Sequence, residues 1–128
     1  MATIGEVMST DLLTVEEGST LVATAAAMDA RRVGAVLVVR DGRLVGILTE
    51  RDVLRAAATG QLTGTVRDWM TPHPETVEAG ESAQQAGVIM IHGGFRHLPV
   101  LDGSKPVGIV SIRDLMRTVL EDISPRGV

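Results

Sequence analysis

Shifted by 62 residues, the chain falls onto itself without a gap, and this self-similarity limits the fold more than any other feature. Fourteen identities join residues 3–59 to residues 65–121. They include Met8/Met70, Thr14-Val15-Glu16 with Thr76-Val77-Glu78, Gly18/Gly80, Met28/Met90 and Val38/Val100. Val45-Gly46-Ile47 likewise meets Val107-Gly108-Ile109, followed by Arg51-Asp52 with Arg113-Asp114. One register held through every loop means two copies of a single supersecondary unit. A chain of this length buries roughly two-thirds of its unfolded surface, enough for a packed core.

Each copy predicts the order β-α-β-β-α, an α/β (mixed α+β) architecture. Short extended segments at Thr14-Val15 and Thr76-Val77 run into glycine-containing turns. Residues 19–32 place Leu21, Val22, Ala25, Ala26 and Met28 at helical spacing, with Ser19 or Thr20 as cap. The matching helix runs from Ser82 to about His92 and ends at Gly93-Gly94. Ala35 to Val39 is a continuous apolar run, as in a strand covered on both faces. Asp41-Gly42 and Asp102-Gly103 then turn each chain segment into a second strand. Pro99 cannot donate to a ladder, which predicts an edge or strand-start position. Closing helices are expected from Glu50 to Thr59 and from Ile112 to about Ile123. The predicted boundaries are 1–60 for the first copy, 61–64 for a linker, 65–123 for the second copy and 124–128 for a loose tail.

Composition removes several function classes. Twelve basic against sixteen acidic residues give a net charge of −4 without a basic run, so duplex nucleic acid finds no electrostatic footprint. Trp69 and Phe95 are the only aromatic residues, too few for a base-stacking platform. No cysteine is present, which removes disulfides, thiolate catalysis and cysteine-type zinc sites. No signal-peptide pattern opens the chain and no apolar run reaches membrane-span length, so a cytoplasmic protein is expected. His73, His92 and His97 lack the i, i+4 spacing of a helical metal pair, and no metal site is expected. Nucleophile-elbow, Walker and dinucleotide glycine motifs are absent too, and no catalytic residues are expected.

The most informative stretches are Gly46-Ile47-Leu48-Thr49-Glu50-Arg51-Asp52 and Gly108-Ile109-Val110-Ser111-Ile112-Arg113-Asp114. Both lie where a buried strand becomes a helix. Thr49 and Ser111 can cap those helices with Asp52 and Asp114 at the third helical position, although the usual reciprocal partner there is Glu or Gln. The same corner suits a nucleotide: free N–H groups and a positive dipole end favour an anion. A carboxylate there can accept both hydroxyls of a ribose, as acidic residues do in other nucleotide folds.

Here the chain resembles the tandem cystathionine-β-synthase (CBS) domain pair, or Bateman module. The resemblance rests on Val7-Met8-Ser9-Thr10 and Trp69-Met70-Thr71-Pro72, on Phe95-Arg96-His97-Leu98-Pro99-Val100-Leu101-Asp102, and on the two Gly-x-x-[Thr/Ser]-x-x-Asp segments. It implies two repeats packed through their sheets about a pseudo-twofold axis, with two clefts that hold an adenine nucleotide (AMP, ADP or ATP). By that resemblance, the cleft at Asp114 takes Ile109, Ser111 and Arg96 or His97, with Leu13 or Thr14 and Val33-Gly34-Ala35. The cleft at Asp52 takes Ile47 and Thr49, with Thr76 and Phe95-Arg96. Arg96-His97 replaces Gly34-Ala35, so phosphate-neutralising charge favours the Asp114 cleft.

The expected function is a regulatory sensor acting in trans on an unidentified partner, the chain carrying no catalytic or channel domain of its own. A structural module with vestigial clefts, and a sensor of S-adenosylmethionine or another adenosyl ligand, are the alternatives. Leu115, Met116, Val119, Leu120 and Ile123 form a wide apolar stripe. Burial against the chain's own sheet would explain the stripe; the resemblance favours a homodimer through the closing helices. Trp69 is read as a buried packing residue, and the methionines as core filler.

Overall fold

The computed structural model describes residues 2–121; Ile123 and the tail at 124–128 lie outside the described residues. The elements in order are α1 (Ile4–Val7), β1 (Thr14–Glu16), α2 (Leu21–Arg31), β2 (Ala35–Arg40), β3 (Arg43–Thr49), α3 (Glu50–Ala58) and α4 (Val66–Trp69). They continue as β4 (Thr71–Pro72), β5 (Val77–Glu78), α5 (Ala83–Gly93), β6 (His97–Asp102), β7 (Lys105–Ser111) and α6 (Ile112–Glu121). This is a mixed α/β fold with two repeats of strands and helices.

The chain divides into two compact units, Leu12–Pro74 and the residues up to Asp11 together with those from Glu75 onward. The units are not the sequence copies, because each copy's opening segment packs in the other copy's unit. In the second unit, Ile4 and Gly5 donate N–H bonds to Glu81 O and Ala79 O, both at 2.8 Å. The first unit matches this: Val66 N and Arg67 N donate to Ser19 O and Glu17 O, both at 2.9 Å. Residues 60–64 form a hydrogen-bonded turn, with Gln61 N on Ala56 O at 2.9 Å and Leu21 N on Gly64 O at 3.0 Å.

In the unit Leu12–Pro74 the sheet order is β1-β2-β3-β4, with β1 parallel to β2 and the other pairs antiparallel. Asp41 and Gly42 both take positive φ (53° and 77°), as a type I′ hairpin turn requires. Thr20 caps α2 by accepting Ala23 N, and Arg32 ends it in the left-handed region. Leu21, Met28, Val36, Val38, Leu48, Ala56 and Val66 make the core. The other unit repeats the plan as β5-β6-β7, with Ile4, Met90, Leu98, Val100, Val110 and Leu115 among its core residues. Gly94, at φ 73°, caps α5.

Pro99 corrects its expected edge position: it sits inside β6, the middle strand of its sheet, opposite Ile109. The first copy shows why this is tolerated. There the equivalent residue, Leu37, donates its N–H to Leu13 O at 3.1 Å, and β1 begins at Thr14. Proline deletes only that bond, and β5 correspondingly begins later, at Val77. Beyond it, Val77↔Val100 pairing proceeds normally.

One charged cluster has no counterpart in the second copy. Glu17, 8% exposed, receives Arg40 Nε on Oε1 at 2.7 Å, and Arg67 Nη2 lies 3.2 Å from the same oxygen. Ala79, Asp102 and Gly5 occupy the equivalent positions. The hydrogen bond from Arg40, and then that from Arg67, hold the Glu17 carboxyl below its ordinary value of 4.5. A lowered folded-state pKa contributes stability that is full above the unfolded value and lost as pH falls through the folded one. Glu17→Gln should therefore cost more stability at pH 7 than at pH 3, as measured by urea unfolding. Equal costs at both pH values would contradict the ion-pair assignment.

Candidate functional site

Each site corner begins with a glycine whose side is occupied by a methionine. A Cβ on Gly46 would lie 2.5 Å from Met70 Sδ and 3.0 Å from Thr71 O; Gly108 meets Met8 and Ser9 in the same way. The motif glycines are thus required by packing, because the segment carrying each methionine lies directly against the strand. Gly46↔Pro72 and Ile47↔Thr71 pair there, and Ser9↔Ile109 bridges the equivalent strand.

Three residues on, the strand ends at the helix cap. Asp52 Oδ2 accepts Thr49 N at 2.9 Å and Thr49 Oγ1 at 3.1 Å, while Asp52 N donates to Thr49 Oγ1 at 3.4 Å. At the second corner, Asp114 Oδ2 accepts Ser111 N at 2.9 Å and Asp114 N donates to Ser111 Oγ at 3.1 Å. This corrects the expectation that capping leaves the aspartates unexplained: the shorter side chain does reach back. Thr65 and Asp68 make a capping box on α4, outside both Gly-x-x-[Thr/Ser]-x-x-Asp segments, with Asp68 Oδ2 accepting Thr65 N at 3.0 Å. Aspartate at this position is a habit of the chain.

The second carboxylate oxygen is outside the box at each corner. Arg55 Nη1 donates to Asp52 Oδ1 at 3.3 Å, and Arg117 Nη1 stands 3.8 Å from Asp114 Oδ1. Asp52 is buried and Asp114 partly so, whereas both arginine side chains are largely exposed. Arg51 and Arg113 face solvent.

The loops preceding β2 and β6 close the corners from the other side. Gly34 O accepts Glu50 N at 3.0 Å, and Arg96 O accepts Ile112 N at 2.9 Å. Ala35↔Thr49 and His97↔Ser111 are directly paired. Asp52, Thr49, Ile47, Val33, Gly34, Ala35, Leu13 and Thr14 therefore belong to one unit. Asp114, Ser111, Ile109, Phe95, Arg96, His97 and Thr76 belong to the other. Phe95 turns its ring over Gly93, where any Cβ would collide with it, so the ring packs on its own helix end. Arg96 is exposed.

The family model for the CBS domain matches residues 4–59 and again 66–121. The chain belongs to the CBS domain family. A CBS domain-containing protein of Bacillus subtilis, YhcV, is 34% identical over 90% of this chain and 84% of its own length. The solved structure of a putative signal-transduction protein with CBS domains from Burkholderia ambifaria is 29% identical, covers 99% of this chain and 100% of its own, and gives a TM-score of 0.90. The crystal structure of CBSX2 in complex with AMP is 25% identical, covers 95% of this chain and 98% of its own, and gives 0.85.

Two features of this CBS pair escaped the sequence. Trp69 is half-buried instead of buried, with the Arg55 guanidinium 5.8 Å from its ring centre. A cavity of about 420 Å³ is lined by Trp69 with Gln61, Thr63, Gly64 and Asp68, and by none of the Gly-x-x-[Thr/Ser]-x-x-Asp residues. Among the described residues no group of three or more His, Asp or Glu side chains could hold a metal ion, and no helix is long and apolar enough to cross a membrane.

Proposed function

We propose that this CBS pair is a sensor of an adenine nucleotide, AMP, ADP or ATP, which signals in trans to a partner protein and catalyses nothing itself. The observation that carries this reading is the corner built twice over, in a fold found in complex with AMP in CBSX2. At each corner one carboxylate oxygen is committed to the helix cap, and among the described residues the other meets only an exposed arginine. A ribose diol can take that second oxygen while the first keeps the cap, so ligand binding does not cost the helix its N-terminal bonds. Such charge-assisted bonds contribute roughly 1.5–3 kcal/mol each. The Thr49 hydroxyl donates to the cap oxygen of Asp52 and the Ser111 hydroxyl accepts Asp114 N, and helix N-termini favour phosphate. Main-chain groups of Val33–Ala35 and Phe95–His97 would read the base, flanked by aliphatic Ile47 and Ile109.

The box at Asp68 favours one rival, a structural module whose aspartates serve only as caps. Thermal unfolding with AMP, ADP, ATP, deoxy-ATP and S-adenosylmethionine separates the two. A ligand at a hundred times its Kd should stabilise by about 2.7 kcal/mol, a rise of several degrees in Tm. A sensor of adenine nucleotides rises with at least one of the first three; a structural module rises with none, and a rise with S-adenosylmethionine alone selects that ligand class. We also propose a homodimer through the closing helices: Leu115 is buried on α6, while Met116, Val119 and Leu120 remain exposed.

A further inference from the structure

Arg55 touches two things at once, and its counterpart in the second copy does not. Its guanidinium donates to Asp52 Oδ1 at 3.3 Å and lies 5.8 Å from the centre of the Trp69 ring. Oδ1 is the oxygen that the Thr49 cap leaves free. In the second copy Arg117 stands 3.8 Å from Asp114 Oδ1, and the position equivalent to Trp69 is Val7, which offers no π face. Asp52 is also the more deeply buried carboxylate, its side chain 10% exposed against 17% for Asp114.

We propose that Arg55 is a latch on the Asp52 corner, held closed by Trp69. A diol that takes Oδ1 of Asp52 must displace the guanidinium, losing an ion pair and a cation–π contact together. The Asp114 corner offers only the longer Arg117 ion pair, with no cation–π contact behind it. The corners therefore differ in affinity for the same ligand, Asp114 filling at low concentration and Asp52 at about tenfold higher. Arg55 is a positioning residue in this scheme: it acts on Asp52 and need not touch the ligand. Because the displaced guanidinium leaves the indole face, occupancy of the Asp52 corner is reported by the only tryptophan.

This inference rests on the nucleotide reading above, and one set of titrations separates their failures. AMP is titrated into the Asp114→Asn chain, which leaves the Asp52 corner to be measured, by calorimetry and by Trp69 emission. Adding Arg55→Gln should strengthen binding about tenfold and abolish the emission change. Trp69→Val, which copies Val7 and leaves Arg55 in place, should strengthen it about threefold. Arg117→Gln in an Asp52→Asn chain should change affinity less than twofold. Binding that appears only once Arg55 is replaced would also support the latch. AMP binding left unchanged or weakened by Arg55→Gln would overturn the latch and leave the nucleotide reading intact. No binding of AMP, ADP or ATP by any chain, Arg55→Gln included, would overturn both.

Discussion

Leu48→Ala is expected to destabilise the chain by about 3 kcal/mol, within the range of 2–5 kcal/mol for emptying a packed leucine site. Leu48 is fully buried and belongs to the core with Leu21, Met28, Val36 and Val38. Its strand partner is Val36, one residue along from the Ala35↔Thr49 pair that sets the cap. The cavity therefore opens directly behind the Asp52 corner, and nucleotide affinity at that corner should fall with stability. Leu54 supplies the control: it lies on α3, six residues along, but is 68% exposed. Leu54→Ala should change stability by less than about 0.5 kcal/mol. Urea unfolding of the three chains checks both statements, and a cost for Leu48→Ala below 1 kcal/mol would contradict the assigned core.

The second large effect separates two duties of one side chain. Asp114→Ala removes the acceptor for Ser111 N and also the charged oxygen offered to a diol. Stability should fall by about 1 kcal/mol, the usual cost of a lost N-terminal capping interaction. Nucleotide affinity at that corner should fall roughly 10- to 100-fold, the equivalent of one charge-assisted bond. Asp114→Asn retains an oxygen for the cap but not the charge. It should recover most of the stability and little of the affinity, read by thermal unfolding and calorimetry on the same samples. An Asn variant that binds AMP as tightly as the parent would reduce Asp114 to a cap.

Much of this fold could be read from the sequence because the repeat states it twice. The hairpins at Asp41-Gly42 and Gly103, the caps at Thr20 and Ser82, and the corner motifs all follow local rules that need no tertiary knowledge. The exchange of opening segments does not follow, since aligning the copies gives the same match whichever sheet an opener joins. Local rules assign the motif glycines no role; they are sites where Met70 and Met8 lie against a strand. Pro99 escaped because the rule against proline in central strands concerns a missing donor. Here the neighbouring strand simply starts past that donor. The aspartates were misjudged by a preference for longer capping partners, which Asp52, Asp68 and Asp114 all override. Arg55 over Trp69 depends on two helices of one unit meeting, which spacing alone does not reveal.

The central claim is that Asp52 and Asp114 hold a ribose, and the sugar itself provides the most direct test. Calorimetric titration of the unmodified chain should show AMP binding at least tenfold more tightly than 2′-deoxy-AMP, because the deoxy sugar leaves one carboxylate acceptor unmatched. In the Asp52→Asn, Asp114→Asn chain that preference should shrink toward unity. Equal affinities for the two nucleotides in the unmodified chain, or no heat from AMP, ADP or ATP, would contradict it.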